Sequence, residues 1–388
     1  MNIIILGGGI VGLSVAYKLS TNKNLNITVI EKENELGKHQ STNNSGVLHC
    51  GLYYKPGSLK ALLSVDGIQQ MTNFCIEHNI PHEICGKLVV STNQEESIKL
   101  NELFDIGTKN GLKNLKKLNR QQMIKIEPNV GGIEAIHVPQ EGIVDYKKVI
   151  DKLSQIITNN GHSIKFNSKV VNIKNNKVHT NTNSYEYDIL INCTGLYSDR
   201  ISKLTTKIKS KIVPFRGEYY KLKPESEYLV NNLIYPVPDP KYPFLGVHFT
   251  RLINGGIEAG PNAVLAFSRE GYKLSNINLF DIFDYITFNG FWKFIFKHKY
   301  MCLKELYQSI NKKQFTKALQ KLIPIIKEDD LIEGGSGVRA QAMSDTGELI
   351  QDFEIVIKNN VCNVINCPSP AATSSLAIAD YIIKQIKL

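Results

Sequence analysis

Three glycines and one acid near the start of the chain carry its most specific chemistry. Gly7, Gly9 and Gly12 spell G-x-G-x-x-G directly after the apolar run Ile3-Ile4-Ile5-Leu6, and a second apolar run, 27–30, ends on Glu31. In that strand–turn–helix–strand setting the spacing is a dinucleotide fingerprint. Gly7 permits the tight turn, Gly9 lets the backbone approach a pyrophosphate, and Gly12 lets the helix pack close to the strand. The helix that opens at Ile10 and Val11 aims its free N–H groups at the phosphates. Glu31, 19 residues after Gly12 and followed by Lys32, suits hydrogen bonds to a ribose diol. A carboxylate there repels a 2′-phosphate, so NADP is disfavoured.

The arginines are the second signal. The chain has 46 basic residues, and only six of them are arginine: Arg120, Arg200, Arg216, Arg251, Arg269 and Arg339. A guanidinium is a rigid two-pronged fork for carboxylates that lysine does not reproduce. Some of the six are expected to form structural ion pairs, and one or two to hold an anionic substrate. A third signal is the small, polar stretch 39–54, which includes Ser41, Asn44, Ser45, Gly46 and His49 and is too long for a tight turn. Its hydroxyls, amides and glycines suit the lining of a cofactor, although a plain surface loop has the same composition.

These residues need elements to position them. After the first βαβ unit, the pattern predicts helices over 58–79, 94–110, 120–127 and 146–159, and strands over 87–91, 163–166, 169–173 and 187–192. The last of these strands runs into Cys193-Thr194-Gly195, which reads as a second backbone approach to the dinucleotide. From about 212 to 269, strands rich in Tyr, Phe and Val alternate with Pro and Gly turns, which predicts an antiparallel sheet. A helical stretch covers 274–322, and the chain closes with a strand over 361–366 and a helix over 372–386. The expected fold is α/β: a Rossmann-like FAD-binding domain (1–85, 141–212 and 333–388) with an inserted α+β antiparallel-sheet substrate domain (86–140 and 213–332). Flavoproteins use such a discontinuous plan because a flavin is held at both ends.

Bulk properties narrow the class. A length of 388 residues allows two domains, and 42% apolar with 21% charged residues is ordinary for a globular protein. The formal charge of +10 comes from scattered lysines without a basic stripe interleaved with aromatics, so nucleic-acid binding is not expected. Seven cysteines without a C-x-x-C pair fit free thiols, a reducing compartment and no metal site. The first strand begins at once and no run is long enough to span a membrane, so a cytoplasmic protein is expected. The aromatic, basic segment 280–297 offers peripheral contact with the cytoplasmic face of the inner membrane, near a quinone; packing against the substrate domain is the other reading.

Several longer runs carry a family resemblance. They include Asn44-Ser45-Gly46-Val47-Leu48-His49, Tyr53-Tyr54-Lys55-Pro56-Gly57-Ser58-Leu59-Lys60, Pro214-Phe215-Arg216-Gly217-Glu218-Tyr219 and 233–240. To these add Pro243-Phe244-Leu245-Gly246-Val247-His248, Gly260-Pro261-Asn262-Ala263-Val264, Gly337-Val338-Arg339-Ala340-Gln341 and Pro368-Ser369-Pro370-Ala371-Ala372-Thr373-Ser374. Over nearly its whole length the chain resembles the L-2-hydroxyglutarate oxidase/dehydrogenase family, a branch of the D-amino-acid-oxidase-like FAD oxidoreductases. The resemblance implies FAD, a small dicarboxylate 2-hydroxy acid as substrate, and electrons leaving to a quinone, a respiratory carrier or oxygen. An FAD enzyme for another 2-hydroxy acid, an amino acid or glycerol 3-phosphate is the alternative.

The resemblance gives the candidate residues roles. A base must take the hydroxyl proton while hydride leaves Cα, and histidine suits this. Of nine histidines, His49 and His248 stand out equally by context. Strand alternation places His248 on the face opposite Phe249 and Arg251, which argues against His248 and Arg251 sharing a pocket. Arg339 is the first choice for the substrate carboxylate, with Arg216 and Arg251 as candidates for the distal one and Tyr54 and Tyr235 as phenolic partners. An ion pair, for example of Arg216 with Glu218, is the competing reading for each. Gly337, Val171, Cys193, Thr194, Gly195 and the segment Pro370, Ala371, Ala372 and Thr373 complete the expected cofactor contacts. The N–H groups of the terminal helix suit the negative charge of a reduced flavin. Cys50, Cys193 and Cys367 are expected to be small apolar fillers, not points of covalent flavin attachment.

Overall fold

The computed structural model describes residues 1–239 and 244–388. Pro240 and Pro243 of the family-like runs lie outside the described residues.

Two sheets organise the chain. The first has six strands in the order Glu354–Lys358, Val361–Asn366, Ile189–Asn192, Asn2–Leu6, Asn26–Ile30, Ser163–Lys165. Its pairs are parallel except for the edge hairpin formed by Glu354–Lys358 and Val361–Asn366. Parallel strands need crossovers and cover on both faces, which explains the near-continuous apolar runs in 3–6 and 27–30. Helices Ile10–Leu19, Tyr146–Asn159 and Ser375–Ile386 supply apolar faces to the same core. The terminal helix starts at Ser375, three residues later than the pattern predicts, because 368–374 forms turns instead.

The second sheet is larger. Its path runs Val264–Leu265, Lys211–Leu222, Ile257–Gly260, His248–Arg251, Leu233–Pro236, Lys87–Ser91, Glu134–Val138, Lys116–Asn119. It is antiparallel apart from one parallel pair, Leu233–Pro236 with Lys87–Ser91. The strand Leu331–Met343 pairs with Lys211–Leu222 along its length, from Leu331 opposite Leu222 to Met343 opposite Lys211. The segment expected to rejoin the FAD-binding unit at 333 therefore stays in the large sheet as far as 343. A backbone ladder with one register shift, between Glu218 and Tyr220, fixes that strand, and no composition change marks its end.

The helical stretch breaks into Leu279–Ile286, Asn289–Ile310 and Lys312–Leu319. Tyr285, Phe291, Phe294 and Met301 pack with Val213, Phe215 and Met343 of the large sheet. Among the described residues, no helix is long and apolar enough to cross a membrane.

Candidate active site

A cavity of about 1120 Å³ takes its walls from both sheets and their loops. One part is built on the glycine turn. Gly7 has φ +101°, and a Cβ there would fall 2.5 Å from the Cys193 carbonyl oxygen. A Cβ on Gly12 would fall 2.2 Å from Gly7 O, so this glycine sits beneath the turn and lets helix and strand meet. The Ser41 hydroxyl accepts the first helical N–H, from Ile10, at 2.9 Å. Glu31 accepts N–H bonds from Gly8 at 2.7 Å and Glu33 at 2.9 Å while facing the cavity. Lys32 lines the same wall, in ion pairs with Glu33 and, at 2.5 Å, with Glu270. Gly9, Val11, Asn44, Ser45, Cys193, Thr194, Gly195 and 370–373 also line it.

The other part gathers the candidate reacting groups. His49, Tyr54, Tyr235, His248, Gly337 and Arg339 all line the cavity. His49 is fixed from two sides. Its backbone N–H donates to Thr373 Oγ1 at 3.1 Å, and its Nδ1 lies 3.4 Å from Glu141 Oε2. The Tyr235 ring stacks on His248 at 3.8 Å and meets His49 edge-on at 6.4 Å. His248 Nδ1 donates to Gly246 O at 2.9 Å, and burial pushes its pKa down to about 3, so the ring is neutral. Arg339 donates to Asn262 O at 3.0 Å and lies over the Phe244 ring. Gly217 makes room for it: a Cβ there would lie 3.0 Å from both terminal nitrogens.

Four expected residues fall elsewhere. Arg216 turns away from the cavity into an ion pair with Glu218 at 2.8 Å, because Gly217 and Tyr219 take the cavity face of that strand. Arg251 lies outside the cavity lining and pairs with Glu83 at 2.5 Å. Val171 is 58% exposed, and its neighbour Val170 lines the wall instead. Gly46 lies outside the lining; its carbonyl pairs with Val144 N at 2.8 Å, and a Cβ there would fall 2.9 Å from Val144 O.

Three polar residues were not found by sequence reasoning. Lys60 lines the cavity and forms no ion pair among the described residues; burial lowers its pKa to about 8. Lys87 and Glu141 form a buried pair at 2.5 Å behind His49. The available signal was a charged residue abutting an apolar strand: Lys87 opens one, and Glu141 immediately precedes another.

Comparison with known proteins decides the family. The model described as "DAO: FAD dependent oxidoreductase" matches residues 2–385. The chain belongs to this family. The oxidoreductase is 50% identical to a protein of Indibacter alkaliphilus named L-2-hydroxyglutarate dehydrogenase, over 98% of this chain and 97% of that one. It is 42% identical to a Homo sapiens protein named L-2-hydroxyglutarate dehydrogenase, mitochondrial, over 100% and 88% of the two chains. Among solved structures, L-alpha-glycerophosphate oxidase from Mycoplasma pneumoniae with FAD bound shares the fold, with a TM-score of 0.80, 20% identity, and coverage of 100% and 94%.

FAD is the cofactor of this family, and the cavity suits it. The turn at Gly7 and the following helix N-terminus present backbone to the cavity, as a pyrophosphate needs, and the close approaches of Gly7 to Cys193 O and of Gly12 to Gly7 O that hold this turn leave no room for a Cβ. The oxidoreductase thus has one chamber whose wall carries the glycine turn and, elsewhere, His49 and Arg339.

Proposed function

We propose that the enzyme oxidises L-2-hydroxyglutarate to 2-oxoglutarate. The observation that carries this reading is the convergence of His49 and Arg339 on one cavity with the nucleotide cradle. The names of relatives 42–50% identical along most of their length support the choice of substrate. Bound FAD supplies the acceptor for the hydride that leaves Cα.

The protein's own residues do the rest. Arg339 grips one carboxylate through its free guanidinium edge, and its packing on Phe244 fixes the fork. Lys60, a buried cation without an ion-pair partner among the described residues, takes the distal carboxylate in place of Arg216 and Arg251. Tyr54, whose ring lies 5.2 Å from the Lys60 ammonium, walls that end. His49 takes the hydroxyl proton at Nε2, the ring nitrogen opposite the one facing Glu141. His248 and Tyr235 form a neutral stacked wall that orients the substrate and excludes water. Binding both carboxylates before reaction fixes the Cα–H direction, which is what distinguishes the L from the D form.

The electron acceptor belongs to the same reading. Helices Leu279–Ile286 and Asn289–Ile310 bury one face against the large sheet and expose Phe280, Phe283, Trp292, Phe296 and Tyr300 on the other. Lys293, Lys297 and Lys299 are exposed beside them. This supports peripheral seating on an anionic bilayer and delivery of electrons to a quinone. Pelleting with anionic vesicles tests the seat: Phe280→Ser with Phe296→Ser should stay in the supernatant, and unchanged pelleting would remove the idea.

Anaerobic mixing of the holoenzyme with L-2-hydroxyglutarate tests the substrate. Bleaching of the flavin absorbance by the L form and not the D form is expected. Bleaching by glycerol 3-phosphate or an amino acid instead would replace the substrate.

A further inference from the structure

We propose that Glu141, held by Lys87, is the positioning residue that selects the tautomer of His49 and sets how readily its ring takes a proton. The inference rests on the reading of His49 as the base. Neither Glu141 nor Lys87 lines the cavity, so neither touches substrate.

Topology brings the three together. The short strand Gly142–Val144 pairs antiparallel with Val47–Leu48, with Gly142 opposite Leu48, so the residue before the first meets the residues after the second. Glu141 Oε1 accordingly accepts Cys50 N at 3.2 Å and Cys50 Sγ at 3.3 Å. Its Oε2 faces His49 Nδ1 at 3.4 Å and the Lys87 ammonium at 2.5 Å. The Lys87 ammonium lies 4.6 Å and 4.8 Å from the Tyr53 and Tyr235 ring centroids, where the aromatic faces take the place of water.

The charge state follows from the contacts. Burial works to raise the Glu141 pKa, but the Lys87 ammonium and the His49 contact outweigh it and hold the carboxyl ionised. An ionised carboxylate only accepts, so His49 carries its proton on Nδ1 and presents the Nε2 lone pair to the cavity. When Nε2 takes the hydroxyl proton, the O–H bond breaks, an N–H bond forms, and the imidazolium charge faces Glu141. Lys87 faces the same carboxylate oxygen, so the Glu141 charge is shared between the ammonium and the imidazole. The other titratable groups around it do not compete. Burial keeps Cys50, Tyr53, Tyr54 and Tyr235 protonated and His248 neutral; it also lowers the Arg339 pKa, but a guanidinium stays charged.

Stability alone does not account for such a pair. A buried ion pair replaced by apolar groups is commonly neutral or stabilising. If Glu141 served only to anchor Cys50 N, its removal would not move a pH profile.

The experiment uses four holoenzyme variants, with flavin content measured on each. His49→Asn should lose at least about 100-fold in the anaerobic reduction rate with flavin retained. Glu141→Gln should lower kcat about tenfold with little change in KM and move the acid limb of kcat/KM down by about one pH unit. Lys87→Met should move the same limb up, since it leaves the carboxylate uncompensated. The double variant Glu141→Leu with Lys87→Met guards against misfolding from a lone buried charge. In it, nitrogen-15 NMR of His49 should show mixed tautomers where the wild type shows Nδ1–H. Acid limbs that stay at the wild-type position in both single variants, or a pure Nδ1–H tautomer in the double variant, would overturn the role of Glu141 while His49→Asn remained inactive. An active His49→Asn would instead overturn the base assignment itself.

Discussion

Gly337 lies where the large sheet meets the 43–44 loop, and replacing it with alanine tests how closely the two units must approach. A Cβ at 337 would fall 2.3 Å from Asn43 O, whereas ordinary contact begins at 3.4 Å. Strand and loop must therefore separate by roughly 1 Å. The strand carries Arg339 two residues on, and the loop leads into Ser45 and His49, so the gap opens between carboxylate grip and base. Overpacking of this kind costs about 1–3 kcal/mol of stability. A misplacement of about 1 Å costs on the order of 100-fold in rate. Gly335→Ala is the control, because a Cβ there meets nothing within 4 Å. Rapid-mixing reduction of each variant by L-2-hydroxyglutarate, with flavin content and thermal melting in parallel, gives the comparison. Gly337→Ala should reduce slowly and melt early, and Gly335→Ala should match the wild type. A Gly337→Ala enzyme that reduces and melts like Gly335→Ala would refute the claim that backbone approach at 337 sets the cavity.

Other outcomes follow from the same geometry. Gly7→Ala places a Cβ 2.5 Å from Cys193 O at φ +101°, so the purified protein should lose its flavin absorbance while retaining most of its helical circular dichroism. Asp199→Ala removes the two-pronged partner of Arg269, held at 2.5 Å and 2.9 Å, but leaves it Asp284 at 2.9 Å, so it should cost about 1.5–3 kcal/mol in urea unfolding. His248 titrates near 3 when folded against a reference of 6.5, so between those values the unfolded chain binds the extra proton. Stability from this group is complete above pH 6.5 and falls as pH drops, by at most about 1.4 kcal/mol per pH unit. Urea midpoints at pH 7 and pH 5 should converge in His248→Asn, and an unchanged pH slope would refute the assignment.

The nucleotide cradle was legible because its determinants are contiguous. Within 31 residues the chain states two strands, a helix start and three glycines whose missing side chains are required by backbone approach. The strand Val361–Asn366 and the helix Tyr146–Asn159 were legible for a similar reason, since apolar period and stop signals sit inside each segment. The end of the long ladder at Met343 was not, because a partner strand more than a hundred residues earlier determines it.

The same limit separates the arginines. By itself the sequence pointed to a dinucleotide at the first turn and marked the rare arginines as worth following among many lysines. Only the tertiary structure decided that Arg339 faces the cavity while Arg216 and Arg251 do not, because a strand residue's side is fixed by pairing register and a slip of one residue reverses it. Likewise, only folding brings Lys87, Glu141 and His49 together behind one wall. Charges far apart in sequence interact through distance and burial, and neither quantity is written in any local stretch of chain.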